Sequence, residues 1–136
     1  MKVIVCLDDT HGMIFNNRRQ SRDRRVIDDI LTTVGNERLY ISGFSEKLFA
    51  ERTEVYSVSE NMLSEAEGAD YCFVENIPLA PYASRIEELV IYRWNRRYPA
   101  DTYFDIDLEK EGFALVSTMD FEGYSHEKIT KEIFKR

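Results

Sequence analysis

Histidine and cysteine, the usual ligands of zinc, are scarce in this chain. It contains two histidines and two cysteines in 136 residues, and neither type recurs at the spacing of a zinc site. Cys6 and Cys72 each lie inside an apolar run, which predicts buried free thiols. His11 lies in a polar stretch, which favours a loop residue over a general base. We therefore predict no metal site.

The chain also lacks long hydrophobic runs and an excess of positive charge. Its apolar runs are far shorter than the ~20 residues of a membrane-spanning helix, and no targeting segment is recognisable, so we expect a cytoplasmic protein. The 25 acidic and 18 basic residues give a net charge of −7. This balance disfavours nucleic acid and anionic membranes as partners, since both need a basic face.

Basic residues are nevertheless concentrated in two short segments. The clusters are Arg18, Arg19, Arg22, Arg24 and Arg25, and then Arg93, Arg96 and Arg97. Two interpretations stay open. The clusters form solvated faces, or one of them forms a local site for an anion or a phosphate.

Length and composition predict a single domain over residues 1–136, because 43% hydrophobic residues can fill a core in a chain of this size. The apolar strand patterns predict a set of buried side chains. These are Val3, Val5, Ile41, Phe73, Ile91 and Leu115.

Strand patterns alternate with short helical patterns, and two strand patterns close the chain. The predicted strands are residues 2–7, 38–42, 54–58, 69–74, 89–95, 113–119 and 129–134. The predicted helices are residues 21–33 with Ser21 as N-cap, 45–50, 60–66 and part of 78–88. Residues 8–20 are predicted to form a long polar loop.

This order predicts an α/β fold, with a mixed, mostly parallel sheet and an antiparallel C-terminal edge. Ligands in such sheets bind at the carboxyl ends of the parallel strands. Four segments fall at those ends: Asp8-Asp9, Gly43, Glu75-Asn76 and Trp94-Asn95.

The tail carries the most specific motif in the sequence. The apolar strand 89–95 is followed by a polar turn and then by the motif Asp-Thr-Tyr-Phe at residues 101–104. This pattern resembles the tail of dihydrofolate reductase. The first strand, the Gly12-Met13 pair with a following asparagine, and the closing strands are also similar to that family, so the resemblance covers nearly the whole chain.

The resemblance implies a three-layer sandwich with an active-site cleft beside the first helix. Asp23 lies within one residue of the place where the family keeps its substrate-binding carboxylate. If the protein is a reductase, Asp23 is therefore its catalytic residue. Its other interpretation is a carboxylate favoured by the positive end of the helix dipole.

The departures from the family fall on the cofactor. Phe44 stands where the family has an arginine for the cofactor phosphate, and Glu75-Asn76 stands in place of a glycine pair. Glycine lets the backbone approach the pyrophosphate because it has no Cβ. Arg19-Gln20-Ser21 replaces the Leu-Pro-Trp of the loop, and Tyr92 replaces a threonine. These four departures from the family predict that no NADPH cofactor is bound.

We therefore expect a non-catalytic domain of this fold that binds a small molecule or a protein in the former cleft. One alternative is an NADPH-dependent reductase of a pterin-like substrate. A second is a Mg²⁺-dependent phosphohydrolase that uses Asp8 and Asp9, although adjacent aspartates on a strand point to opposite faces. The residues expected to contact a ligand are Asp9, Asp23, Tyr92 and Trp94.

Overall fold

A seven-stranded sheet forms the centre of the molecule in a computed structural model. The model describes residues 1–136, apart from the side chains of residues 53 and 54. The strands are β1 Lys2–Leu7, β2 Gly12–Phe15, β3 Arg18–Arg19, β4 Leu39–Ile41, β5 Ser57–Val58, β6 Tyr71–Phe73, β7 Glu88–Arg93, β8 Thr102–Tyr103, β9 Ala114–Phe121 and β10 Ile129–Lys135. The helices are α1 Arg24–Val34 and α2 Met62–Glu65, and 3₁₀ turns occupy Gly43–Val55 and Ala80–Arg85.

The order of strands in the main sheet is β5-β4-β6-β1-β7-β10-β9. The first five pair in parallel, and β10 joins β7 and β9 in the antiparallel sense. The predicted mixed sheet with an antiparallel C-terminal edge is confirmed. Because β1 lies between β6 and β7, the carboxyl ends of three adjacent strands meet at one edge of the sheet.

Alternate residues of each central strand face opposite layers, as expected for strands covered on both sides. On β1, Val3 and Val5 pack with α2 and the Ala80–Arg85 turn, whereas Ile4 packs with α1. On β7, Ile91 faces the layer of α2 and the Ala80–Arg85 turn, whereas Val90 and Tyr92 face the layer of α1. The sheet is therefore the middle of three layers.

Helix α1 covers one face through Val26, Ile30 and Val34, which lie one turn apart along its buried stripe. Its N-cap is Asp23, whose carboxylate accepts from the backbone N–H of Arg25. The prediction of Ser21 as N-cap was wrong, since Asp23 makes the capping bond and the helix begins three residues later than expected.

Two other predictions need correction. Leu115 is 49% exposed, because β9 is the edge strand and no layer covers it; the other five predicted core side chains are buried. The predicted loop 8–20 instead contains the β2–β3 hairpin, which pairs with β8 in a second, three-stranded sheet.

Of the strand predicted at residues 54–58, only β5, Ser57–Val58, forms a strand. The side chain of residue 54 is one of the two that the structure does not describe. Among the described residues, no helix has both the length and the apolar character needed to cross a membrane.

Candidate functional site

A cleft opens at the sheet edge where β1, β6 and β7 end. It lies between α1 and the β2–β3 hairpin and is narrow, since a water-sized sphere can occupy only about 20 Å³ of it. Apolar side chains supply most of its wall, and these are Cys6, Met13, Val26, Ile27, Leu48, Phe73, Val74 and Trp94. The polar lining residues are Arg19, Gln20, Ser21, Arg22, Asp23 and Glu75. An apolar cavity with a few polar groups is the usual form of a small-molecule site.

Asp23 joins the start of α1 to the loop before β10. Its side chain is buried, and its two oxygens accept from the backbone N–H groups of Arg25, Tyr124 and Ser125 at 2.9 Å each. The Ser125 hydroxyl donates to it at 3.2 Å, and His126 Nδ1 lies 2.8 Å away. Burial alone would raise the pKa of this carboxyl, but the hydrogen bonds from Tyr124, Ser125, His126 and Arg25 hold the pKa far below its usual range.

Gly123 allows this approach of the loop to Asp23. A Cβ at Gly123 would lie 2.6 Å from Asp23 Oδ2 and 3.0 Å from the His126 carbonyl oxygen. The loop could not pack against the carboxylate with any larger residue there.

His126 is held in one orientation beside the cleft. Its ring stacks on Trp94 with a centroid distance of 4.7 Å and an interplanar angle of 26°. Because a carboxylate only accepts, Nδ1 carries the proton that faces Asp23, and Nε2 of the neutral ring is left as an acceptor. The Ser21 hydroxyl lies 2.9 Å from Nε2, and the Tyr98 hydroxyl lies 3.3 Å from it.

An ion pair joins the hairpin to the end of β6. Arg19 Nε and Nη2 donate to the two oxygens of Glu75 at 2.9 and 3.1 Å, and the Ser45 hydroxyl donates to the same carboxylate at 2.8 Å. Arg19 also donates to the carbonyl oxygen of Phe44 at 3.0 Å and lies over its ring. The negative charge of Glu75 is thus matched by Arg19, and three segments of this side of the cleft are tied together.

The Asp8 carboxylate holds the loop after β1 in place through hydrogen bonds. Its buried carboxylate accepts from the N–H and hydroxyl of Thr10, the N–H of Gly12 and the N–H of Tyr98, at 2.7 to 2.9 Å. Burial would raise its pKa, yet the bonds from Tyr98, Gly12 and Thr10 lower the pKa overall. Asp9 is exposed and its N–H donates to the Arg96 carbonyl oxygen. Among the described residues, no three His, Cys, Asp or Glu side chains are grouped to hold a metal ion.

The four residues expected to contact a ligand are divided between separate places. Asp23 and Trp94 both line the cleft. Tyr92 is fully buried beneath α1, where its hydroxyl donates to Asp29 at 2.6 Å, and burial with this contact raises its pKa. Asp9 lies on the exposed loop after β1, and neither it nor Tyr92 is among the residues that line the cleft.

Sequence reasoning missed three contributors to the site. Ser21 was interpreted as a helix cap, His126 was treated only as one of two isolated histidines, and Arg19 was placed in a basic cluster. His126 is 103 residues from Asp23 in sequence, so no local spacing could have joined them. The Ser-His pair at residues 125 and 126, in the loop just before β10, was the one available signal.

This architecture is shared with a solved structure, whereas the sequence matches no known family. No protein-family model matches the chain, and no curated protein matches it either. Among solved structures, a dihydrofolate reductase from Enterococcus faecalis, in complex with NADP(H) and RAB-propyl, matches with a TM-score of 0.70. The match covers 99% of this chain and 95% of that one at 12% sequence identity. The chain therefore has a dihydrofolate reductase-like fold, and an identity this low shows the fold alone.

Proposed function

We propose that this domain binds a small molecule in the cleft beside α1, without NADPH and without reductase activity. The observation that carries the proposal is the Arg19–Glu75 ion pair, which is braced by Ser45 and the Phe44 carbonyl group. Glu75 occupies the position where the reductase family has a glycine of its cofactor-binding pair. The paired side chains of Glu75 and Arg19 fill space there that a glycine would leave open to the pyrophosphate.

The wall of the cleft indicates the chemistry of the ligand. Apolar side chains from α1, the hairpin and the sheet suit a flat or branched apolar body. Gln20 lines the cleft, and its Oε1 is buried without a hydrogen-bond partner among the described residues. A ligand that brings a donor to Gln20 would satisfy this oxygen.

Asp23 has a different role in this proposal from the one that the family resemblance implies. Five donors from its own chain already surround its two oxygens. A carboxylate can accept about four hydrogen bonds, so little capacity is left for a ligand. We therefore assign Asp23 to holding the cleft in shape, beside Trp94.

The two alternatives have weaker support. A pterin reductase would need NADPH, and its phosphate arginine is Phe44 here. A Mg²⁺ phosphohydrolase would need Asp8 and Asp9 to share an ion, but Asp8 is enclosed by donors of its own loop and Asp9 is exposed. Each donor to Asp8 would have to be displaced before a cation could bind.

A thermal-shift screen with a matched pair of α1 variants tests the proposal. The panel contains folates, nucleotides, NADPH and divalent ions. A ligand at a hundredfold excess over its Kd stabilises the native state by about 2.7 kcal/mol, which is readily detected. Ile27 lines the cleft and Leu31 lies one turn further along the same helix, outside the cleft, with similar partial burial.

We expect Ile27→Trp to remove the stabilisation by an organic compound from the panel, because the larger ring fills the cleft. Leu31→Trp is the control and should keep the stabilisation. Two results would contradict a small-molecule site in this cleft. In one, a ligand raises the melting temperature of both variants equally; in the other, no organic compound in the panel raises the melting temperature of the wild type. Stabilisation by divalent ions alone would favour the phosphohydrolase.

A further inference from the structure

The groups around His126 have the arrangement of a nucleophile, a base and a carboxylate. Asp23 Oδ2 lies 2.8 Å from His126 Nδ1, and His126 Nε2 lies 2.9 Å from Ser21 Oγ. These are the two contacts by which a serine hydroxyl is activated in acyl transfer. The arrangement joins two separate parts of the chain, residues 21–23 and His126, and the structural role of Asp23 as a helix cap does not require the serine.

We propose that Ser21, His126 and Asp23 form a nucleophilic site that takes a small acyl ester from the cleft. The inference rests on the proposed function to the extent that the substrate must enter that cleft. Ser21 is the nucleophile, His126 is the general base, and Asp23 is a positioning residue that fixes the imidazole tautomer. The substrate is an ester with a small apolar acyl group, since Val26, Ile27 and Leu48 line the same cavity as Ser21.

The surroundings of the His126 imidazole favour a role as general base over a purely structural contact. Asp23 is ionised, since its pKa is held below the usual range, so Nδ1 donates to it, and in the neutral ring Nε2 is the acceptor. Trp94 holds the ring plane from one side. Ser21 is partly exposed and lines the cleft, so a substrate reaches its Oγ while the imidazole stays buried behind it.

In this proposal, backbone N–H groups next to the serine in sequence are assigned as the oxyanion donors. Within the described residues, the N–H groups of Arg22 and Asp23 donate to no protein acceptor. They directly precede α1, whose N-terminal end carries partial positive charge. Donors of this kind stabilise the negative oxygen that forms when an acyl carbonyl is attacked.

The proposed reaction has two balanced steps with water as the second reactant. Ser21 Oγ bonds to the acyl carbon, its proton moves to His126 Nε2, and the bond from the acyl carbon to the alcohol oxygen breaks. The alcohol leaves with that proton. In the second step a water gives a proton to His126 and its oxygen bonds to the acyl carbon; the acyl bond to Ser21 breaks, and the serine regains the proton.

Labelling with a fluorophosphonate tests the nucleophile, and intact-protein mass with peptide mapping gives the readout. Ser21 Oγ displaces fluoride from phosphorus, so one phosphonyl group should attach per chain, and at Ser21. Ser21→Ala should lower the labelling rate at least tenfold.

Ser117→Ala is the control, because the Ser117 side chain is exposed on the edge strand β9 and lines no part of the cleft. This variant should keep most of the labelling rate, with both variants checked for folding by thermal melting. The proposal is overturned if the folded wild-type protein is not labelled, or if the label maps to another residue. The ligand screen separates the two proposals. If a ligand stabilises the protein and Ile27→Trp abolishes that stabilisation, but Ser21 is not labelled, the proposed function stands and the nucleophilic site is wrong.

Discussion

Replacing Asp23 with alanine is expected to lower the free energy of unfolding by about 3–5 kcal/mol, the range found when one partner of a buried charged network is removed. The substitution leaves the N–H groups of Tyr124 and Ser125 and the imidazole of His126 without their acceptor. It also removes the N-cap of α1, a loss that by itself costs about 1 kcal/mol. Urea unfolding of the variant and the wild type measures the difference.

Asp28→Ala is the control for this prediction. Asp28 lies on the same helix, but its ion pair with Arg52 is about half exposed on both sides. Such pairs contribute about 0–1 kcal/mol. If the two alanine variants lose the same amount of stability, Asp23 does not hold the loop to the helix.

The charge of Asp23 also predicts the direction of the pH dependence. Its pKa is lower in the folded protein than in the unfolded chain, so its contribution is fully present above the unfolded value of about 4. That contribution is lost as the pH falls from about 4 towards the folded pKa. Asp8 acts in the same direction, because its pKa is also lowered by folding.

Ile91→Ala should destabilise the protein by about 2–5 kcal/mol, the usual cost of removing a large aliphatic side chain from a core. Ile91 is completely buried on β7, in the layer that it shares with Val5 of the neighbouring β1. Leu115→Ala on the edge strand is the comparison and should change stability by less than about 1 kcal/mol, since that side chain is 49% exposed. Chemical unfolding of both variants measures the contrast, and similar losses would mean that β9 is covered in solution.

The main sheet could be predicted from the sequence because its signals are local. Uninterrupted apolar strands such as residues 2–7, with helical spacing between them, indicate parallel strands covered on both faces. Leu115 was misplaced for a physical reason. An alternating pattern shows that a strand has two faces, but it does not show whether a layer of structure covers either of them.

The β2–β3 hairpin and the site depend on information of two different kinds. The hairpin turn at Asn16 and Asn17 uses positive φ at both residues, and an asparagine pair is a recognisable signal for it. The contacts from Asp23 to His126 and from Arg19 to Glu75 cross 103 and 56 residues of sequence. Which charges meet at such separations is decided by the fold, so only the residue types could be predicted.

Calorimetric titration of the folded domain with NADPH tests the central claim most directly. We propose that the ion pair of Glu75 with Arg19 and the phenyl ring of Phe44 stand where the family resemblance would put the cofactor's phosphates. We expect no binding heat at protein and ligand concentrations that would reveal a Kd of about 1 μM, equivalent to about −8.2 kcal/mol. A saturable titration with micromolar affinity would contradict the account and restore the reductase as the leading function.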